Sequence, residues 1–341
     1  MAITSFTVQH RGGGMVVWDI RELVVDDTVQ WTTDLNYSAG ELTFDIVEVD
    51  EGFTPRNGDI VKMSWDGVKT FYGYIFDFKY TNEKFSVTAY DKLRYLKNED
   101  AIVWPVTTVS QRFDKVCRMA EIKHRVVNNS SHKVAAEVCD SKTYFDMLKS
   151  AIEITTKANG QKYFVIANYD TVELRRAPYR SLTIILGDQS LMTKFEYERS
   201  IDDAATVVRV VREDETKGQK STATATGKSA KDTHYTTVTA GSPHNIDNWG
   251  RLQKVEKAKE KANVAQMKAQ ARQLLKEKNI QKRTLKLTVL GDISLVAGNA
   301  AYIQIKSLKD IGLGTSSHLI TKATHHFGKD YTCEVEMVVN K

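Results

Sequence analysis

Leu42 to Val49 alternates apolar Leu, Phe, Ile and Val with Thr, Asp and Glu, the period of two that marks a half-buried strand. Val16–Ile20, Leu23–Val25 and Val29–Thr32 precede it as shorter strand-like runs. Ile60–Trp65, Thr70–Tyr80 and Phe85–Tyr90 follow, separated by Asp66-Gly67 and by a turn near Asn82. Asp-Gly between two apolar runs predicts a tight hairpin, because glycine accepts the positive φ that the turn demands. Short antiparallel strands at this spacing predict a small barrel or a sandwich over the first hundred residues.

The periodicity then changes. Val109, Phe113, Val116, Cys117 and Ala120 recur at helical spacing up to Ile122, with Thr107, Thr108 or Ser110 as the available cap. A second helix is expected from about Lys142 to Lys157, capped by Ser141. Tyr144, Phe145, Leu148, Ala151, Ile152 and Thr155 would form its inner face, and Gly160 would terminate it. Tyr163–Ala167 and Thr171–Arg175 read as a hairpin, so residues 105–180 form a compact α/β module.

Strands return at Leu182–Leu186, Met192–Glu198 and Thr206–Arg212. Residues 213–244 are rich in Ser, Thr, Lys, Gly and Ala, the composition of a flexible, solvated loop or hairpin tip. The longest helix is expected at 251–278, its apolar face running from Leu252 and Val255 through Ala258, Ala262, Met267 and Ala271 to Leu274 and Leu275. Thr284–Leu290, Ala300–Ile305, His318–His326 and Tyr331–Val339 complete the chain as strands.

The end of the chain repeats the pattern of its beginning. Leu42–Val49, Asn57-Gly58-Asp59, Ile60–Met63, Phe71–Phe76 and Phe85–Ala89 have counterparts in Leu285–Val289, Gly298-Asn299, Ala301–Ile305, Leu319–Ala323 and Tyr331–Val338. Two readings are open: a general likeness among β-meanders, or two copies of one barrel. In the second case a ring of three chains would present six similar barrels, a means of joining a six-fold object to a three-fold one.

The same segments carry a family likeness. Asn57-Gly58-Asp59-Ile60-Val61, Phe71-Tyr72-Gly73-Tyr74-Ile75 and the run Val87–Asn98, with its string AYDKLRYLKN, resemble the XkdQ family of PBSX-like phage tails. Lys142–Asp146, Arg199–Asp203, Asn245–Gly250, Leu290-Gly291-Asp292 and Ala297-Gly298 extend the resemblance from about residue 40 to 330. That family is similar to contractile-tail hub proteins and, more distantly, to the late-control protein D type. The resemblance implies a mainly β fold with α+β insertions: a tube-protein-like antiparallel barrel over 1–104, the inserted α/β domain over 105–180, and a second such barrel over 181–341 carrying loop 213–244 and helix 251–278. It further implies a homotrimeric ring in a tail-like particle made in a bacterial host's cytoplasm, between the hexameric tail tube and the trimeric central spike, with other baseplate and tape-measure proteins as further partners. The long Ser/Thr-rich stretch 213–244 departs from the family's pattern.

Composition narrows the alternatives. The chain has 341 residues, 41% hydrophobic and 27% charged, with a net charge of +5, which without a localised patch gives no case for nucleic-acid binding. The first residues lack the apolar core of a secretory signal, and no apolar run reaches spanning length, so no membrane partner is expected. Three widely spaced cysteines, Cys117, Cys139 and Cys333, form no CxxC pair and fit a reducing compartment.

Candidate chemistry is sparse. His318, His325 and His326 cluster, yet neighbours on a strand face opposite ways, so His325 and His326 cannot share an ion. Cys117 and Cys139 read as small buried hydrophobes. Gly12-Gly13-Gly14 lacks phosphate-loop spacing, and no GxSxG, HExxH or SxxK motif occurs. Asp202-Asp203 and Glu213-Asp214-Glu215 are carboxylate clusters of the kind any acidic surface holds. Lys254, Lys257, Lys259, Lys261, Lys268, Arg272, Lys276 and Lys278 make the 251–278 segment basic, but Glu256, Glu260 and Glu277 interrupt it. No catalytic, cofactor-binding or metal-binding residue is therefore nominated. The expected function is a non-enzymatic baseplate hub; the alternative is a tail-tip enzyme that cuts peptidoglycan.

Overall fold

The computed structural model describes residues 2–12, 16–47, 53–214, 234–258 and 262–339. Gly13, Gly14, Glu48, Val49, Glu215 with most of the Ser/Thr-rich stretch, Lys259, Glu260 and Lys261 lie outside the described residues. The architecture is mainly β, with helices between the strands. The chain forms two compact units, residues 1–196 with 285–339, and residues 197–284.

In the first unit, alternation translates directly into burial. Leu42, Phe44 and Ile46 of strand Glu41–Val47 point inward, as do Val61, Met63 and Trp65 of Ile60–Trp65. Asp66 and Gly67 both take positive φ (46° and 77°), as the tight Trp65-to-Val68 turn requires. Asn82 and Glu83 do the same (52° and 59°) between Val68–Thr81 and Lys84–Asp91. Strand Ile3–Gln9, whose Phe6 and Val8 are fully buried, pairs with Ile60–Trp65 and had no counterpart in the sequence reading.

Within the α/β module, Thr108 caps helix α1 (Val109–Met119) in a reciprocal capping box with Gln111. Helix α2 (Tyr144–Asn159) is capped by Thr143 rather than Ser141, and Gly160 ends it in the left-handed conformation at φ 72°. Phe113, Val116 and Cys117 of α1 and Phe145, Leu148 and Ile152 of α2 share one core with Leu93, Leu96 and Trp104. The hairpin Tyr163–Asn168 and Thr171–Arg176 covers it.

The second unit corrects two expectations. For residues 213–244 the hairpin alternative holds over the loop, with a strand where only a tip was expected: His234–Gly241 pairs antiparallel along the whole of Val207–Asp214, and α3 (Pro243–Trp249) follows. The β-branched run Thr236-Thr237-Val238-Thr239 is the strand signal that overall polarity hid. No single helix runs from 251 to 278. Gln253–Lys257 is a strand parallel to Val207–Val211, and helix α4 (Val264–Lys278) begins only after Asn263, which caps it in a box with Gln266. At 15 residues α4 is shorter than α2, with 16. Its Met267 and Ala271 pack on Val208, Val210 and Ala205.

The sheet order bears on the duplication. Val29–Asp34, Glu41–Val47, Lys84–Asp91, Val68–Thr81 and Ile60–Trp65 lie side by side in that order. Met192–Ser200, Lys282–Leu290, Thr332–Val338, Ser316–Phe327 and Ala300–Gln304 repeat it. Hydrogen bonds repeat as well. Gly58 N–H donates to Ile75 O (2.7 Å), Ile75 N–H to Asp59 O (2.9 Å) and Asp59 N–H to Arg56 O (3.1 Å). The later counterparts are Gly298 to Ile320 (2.9 Å), Ile320 to Asn299 (2.8 Å) and Asn299 to Val296 (3.2 Å). Both glycines sit at positive φ, 90° and 95°. Each long strand then carries a bulge at the matching place: pairing skips from Ile75 to Asp77 and from Ile320 to Lys322. A generic likeness among meanders accounts for strand order but not for the same glycine, the same three bonds and the same bulge.

Candidate assembly interface

With Ile75 matched to Ile320, each residue from 75 to 81 has a counterpart 245 positions later. This matching locates a joint within the first unit. Strand Ser316–Phe327 is paired with Thr332–Val338 on one edge. On its other edge, residues 316–319 pair with Ala300–Ile303, and residues 322–327 then pair with Val29–Asp34. The first repeat is thus hydrogen-bonded to the second through its leading strand.

The joint is built around buried rings. Trp31 stacks on His325 (5.1 Å between centroids), and Tyr331 stacks on Phe327 (5.2 Å), while Trp65 leans on both Phe327 and Tyr331 at 4.8 Å. His325 is fully buried. Its Nε2 lies 3.1 Å from Leu295 O and its Nδ1 lies 2.8 Å from Tyr331 Oη. A carbonyl can only accept, so Nε2 carries the proton and Tyr331 donates to Nδ1. Burial holds this imidazole neutral, its pKa lowered to about 4. Polar groups at the joint are also paired: Thr32 Oγ1 lies 3.0 Å from Thr324 Oγ1, and Thr33 Oγ1 accepts from Ala297 N–H at 3.0 Å.

Two edges match the halves of this joint. The counterparts of Lys322, Ala323 and Thr324 are Asp77, Phe78 and Lys79, which pair with Lys84–Asp91 on one side. Among the described residues no strand pairs with them on the other. Asp77 and Lys79 are exposed and Phe78 half-buried. The counterpart of Val29–Asp34 is Met192–Ser200, which pairs only with Lys282–Leu290 among the described strands. Thr193, Lys194 and Glu196 on it are exposed.

The residues singled out for chemistry do not converge. His326 is half-buried on the face opposite His325, and His318 lies against Ser316 Oγ at 2.6 Å. Cys117 and Cys139 are buried, and burial pushes both thiols up, away from the thiolate. Asp202 and Asp203 are exposed turn residues, while Glu213 is exposed on a strand. Among the described residues no group of three His, Cys, Asp or Glu could hold a metal ion. A cavity of about 360 Å³ is lined by Lys69, Arg125, Arg175 and Arg180. Two of these cations are already matched, since buried Glu173 accepts from Arg125, Arg175 and Asn168. Lys268, Arg272 and Lys276 of α4 are exposed. No helix among the described residues is long and apolar enough to cross a membrane.

The fold of this chain is shared with solved structures of other proteins. The chain superposes on the 43 kDa tail protein of prophage MuSo2 from Shewanella oneidensis with a TM-score of 0.66, at 13% identity, covering 98% of each chain. The family model described as YqbQ-like matches residues 29–338, and the chain belongs to that family. Two relatives come from Bacillus subtilis (strain 168). The uncharacterized protein YqbQ is 26% identical over 279 residues, 80% of each chain. The phage-like element PBSX protein XkdQ is 25% identical over 289 residues, 84% of this chain and 83% of the relative.

Proposed function

We propose that this chain is a structural component of a contractile tail-like particle, the baseplate hub, acting as a trimeric ring that adapts the six-fold tail tube to the three-fold central spike. The observation that carries this reading is the internal repeat, with its matched glycines, bonds and bulges. A chain holding two copies of one β unit lets three chains present six similar units toward the tube. The α/β module and residues 197–284 occur once per chain, so they would carry the three-fold side. The two repeats would correspond to tube-like barrels. Likeness to XkdQ and to a prophage tail protein supports a place in the particle, with tube, spike and other baseplate proteins as neighbours.

Function then resides in shape and edges, not in catalysis. Incubation of the purified chain with peptidoglycan is expected to release no soluble fragments; measurable turnover would sink the non-enzymatic reading. Mixing it with the particle's tube and spike proteins is expected to give a stable three-component complex, whereas failure to bind either would remove the adaptor role.

A further inference from the structure

We infer that the open edge at Asp77–Lys79 pairs with the outer edge of Met192–Glu196 from a second copy of this chain, closing between copies the same joint that Val29–Asp34 and Lys322–Phe327 close within one. The inference rests on the ring reading above and names the edges that make the ring.

The inner joint shows what each edge binds. Past their shared bulge, the long strands Val68–Thr81 and Ser316–Phe327 are built alike, and each pairs with its repeat's last strand. In the second repeat the facing edge takes up the leading strand of the first. In the first repeat the corresponding stretch meets no strand among the described residues. The leading strand of the second repeat is likewise paired on one side only: Leu290 N–H donates to Leu191 O at 2.8 Å, and Thr193 Oγ1 donates to Thr288 O at 3.0 Å. One copy therefore offers an acceptor edge and a donor edge, and the chain itself shows that these two types of edge fit.

Exposed, regular edges invite pairing and are normally covered. Because donor and acceptor differ, copies must associate head to tail, and such a contact either closes a ring or grows a filament. A two-fold dimer, in which like meets like, is not what these edges form. Lys79 and Asp77 on one side and Lys194 and Glu196 on the other provide charges of both signs for setting register.

Thiol cross-linking of the full chain tests this, since Cys117, Cys139 and Cys333 are buried. Single variants Asp77→Cys, Lys79→Cys, Thr193→Cys and Lys194→Cys would be treated with a short bismaleimide, with Glu153→Cys at an exposed position of α2 as control. Mixing an acceptor variant with a donor variant is expected to give a band at twice the chain mass, and either variant alone is expected to give none. A chain carrying both Lys79→Cys and Lys194→Cys is expected to give a ladder that stops at three. Native mass measured on the same samples separates the failures. Three-copy assemblies without donor–acceptor cross-links, or with like-to-like ones, overturn the edge pairing and leave the ring reading intact. A monomer, both alone and with tube and spike proteins, overturns both.

Discussion

At the residue scale, two positions carry the joint. His325 is fully buried, and its neutral ring is held between a carbonyl acceptor and a tyrosine donor. Its pKa falls to about 4 from an ordinary 6.5, so between those values the unfolded chain binds a proton that the folded one refuses. Stability should therefore be lost as pH falls through that window. Denaturant titrations of the native chain and His325→Phe from neutral pH to about pH 4 check this: the native chain should lose more stability on acidification than the variant, and parallel curves would contradict it. Gly298 is the other position. Its φ of 95° is costly for any L side chain, and a Cβ there would also lie 2.2 Å from Phe164 Cζ. Gly58 shares the dihedral but faces open space. Gly58→Ala should cost about 1–3 kcal/mol of backbone strain, and Gly298→Ala more than that, as measured by urea unfolding. Equal costs would show that Phe164 yields without penalty.

At the element scale, the sequence spoke clearly wherever a signal was local. Asp66-Gly67 marked a hairpin and Gly160 the end of α2, while Thr108, one of three caps open for α1, was singled out only by its box with Gln111 in the structure. Thr108→Ala should destabilise the fold by about 1 kcal/mol while leaving helix content near native, read by circular dichroism alongside urea unfolding. The misreadings came from averaging over windows. Leu252 and Val255 fall at helical spacing from Ala258 and Ala262, but Gln253–Lys257 gains more from parallel pairing with Val207–Val211, and Asn263 restarts the backbone as a cap. The polar letters of 213–244 concealed the β-branched residues of His234–Gly241. In Ile3–Gln9 a register shift between Ile3 and Ser5 breaks the alternation, leaving Phe6 and Val8 as its fully buried anchors, too few to stand out. Pairing of Val29–Asp34 with Lys322–Phe327 joins residues nearly 300 apart in sequence, and no local pattern encodes such a partner. The repeat itself was legible, through Gly58 and Gly298, because duplication leaves the same local constraints at two addresses.

At the scale of the whole molecule, the chain holds two copies of one strand order. One joint is closed between them, and among the described residues the two edges that match its halves each meet a strand on one side only. Exposed Lys257 and Lys268 lie on neither of those edges. Replacing Lys257 and Lys268 with Gln should therefore leave assembly unchanged, and loss of the oligomer would place the α4 region at a subunit boundary. The chain belongs to the YqbQ-like family and shares its fold with a prophage tail protein. The most direct measurement is the native mass of the full chain, alone and with the tail-tube and spike proteins of its particle. Three copies in a closed assembly are the expected result. A monomer throughout, or a symmetric dimer, would contradict the ring.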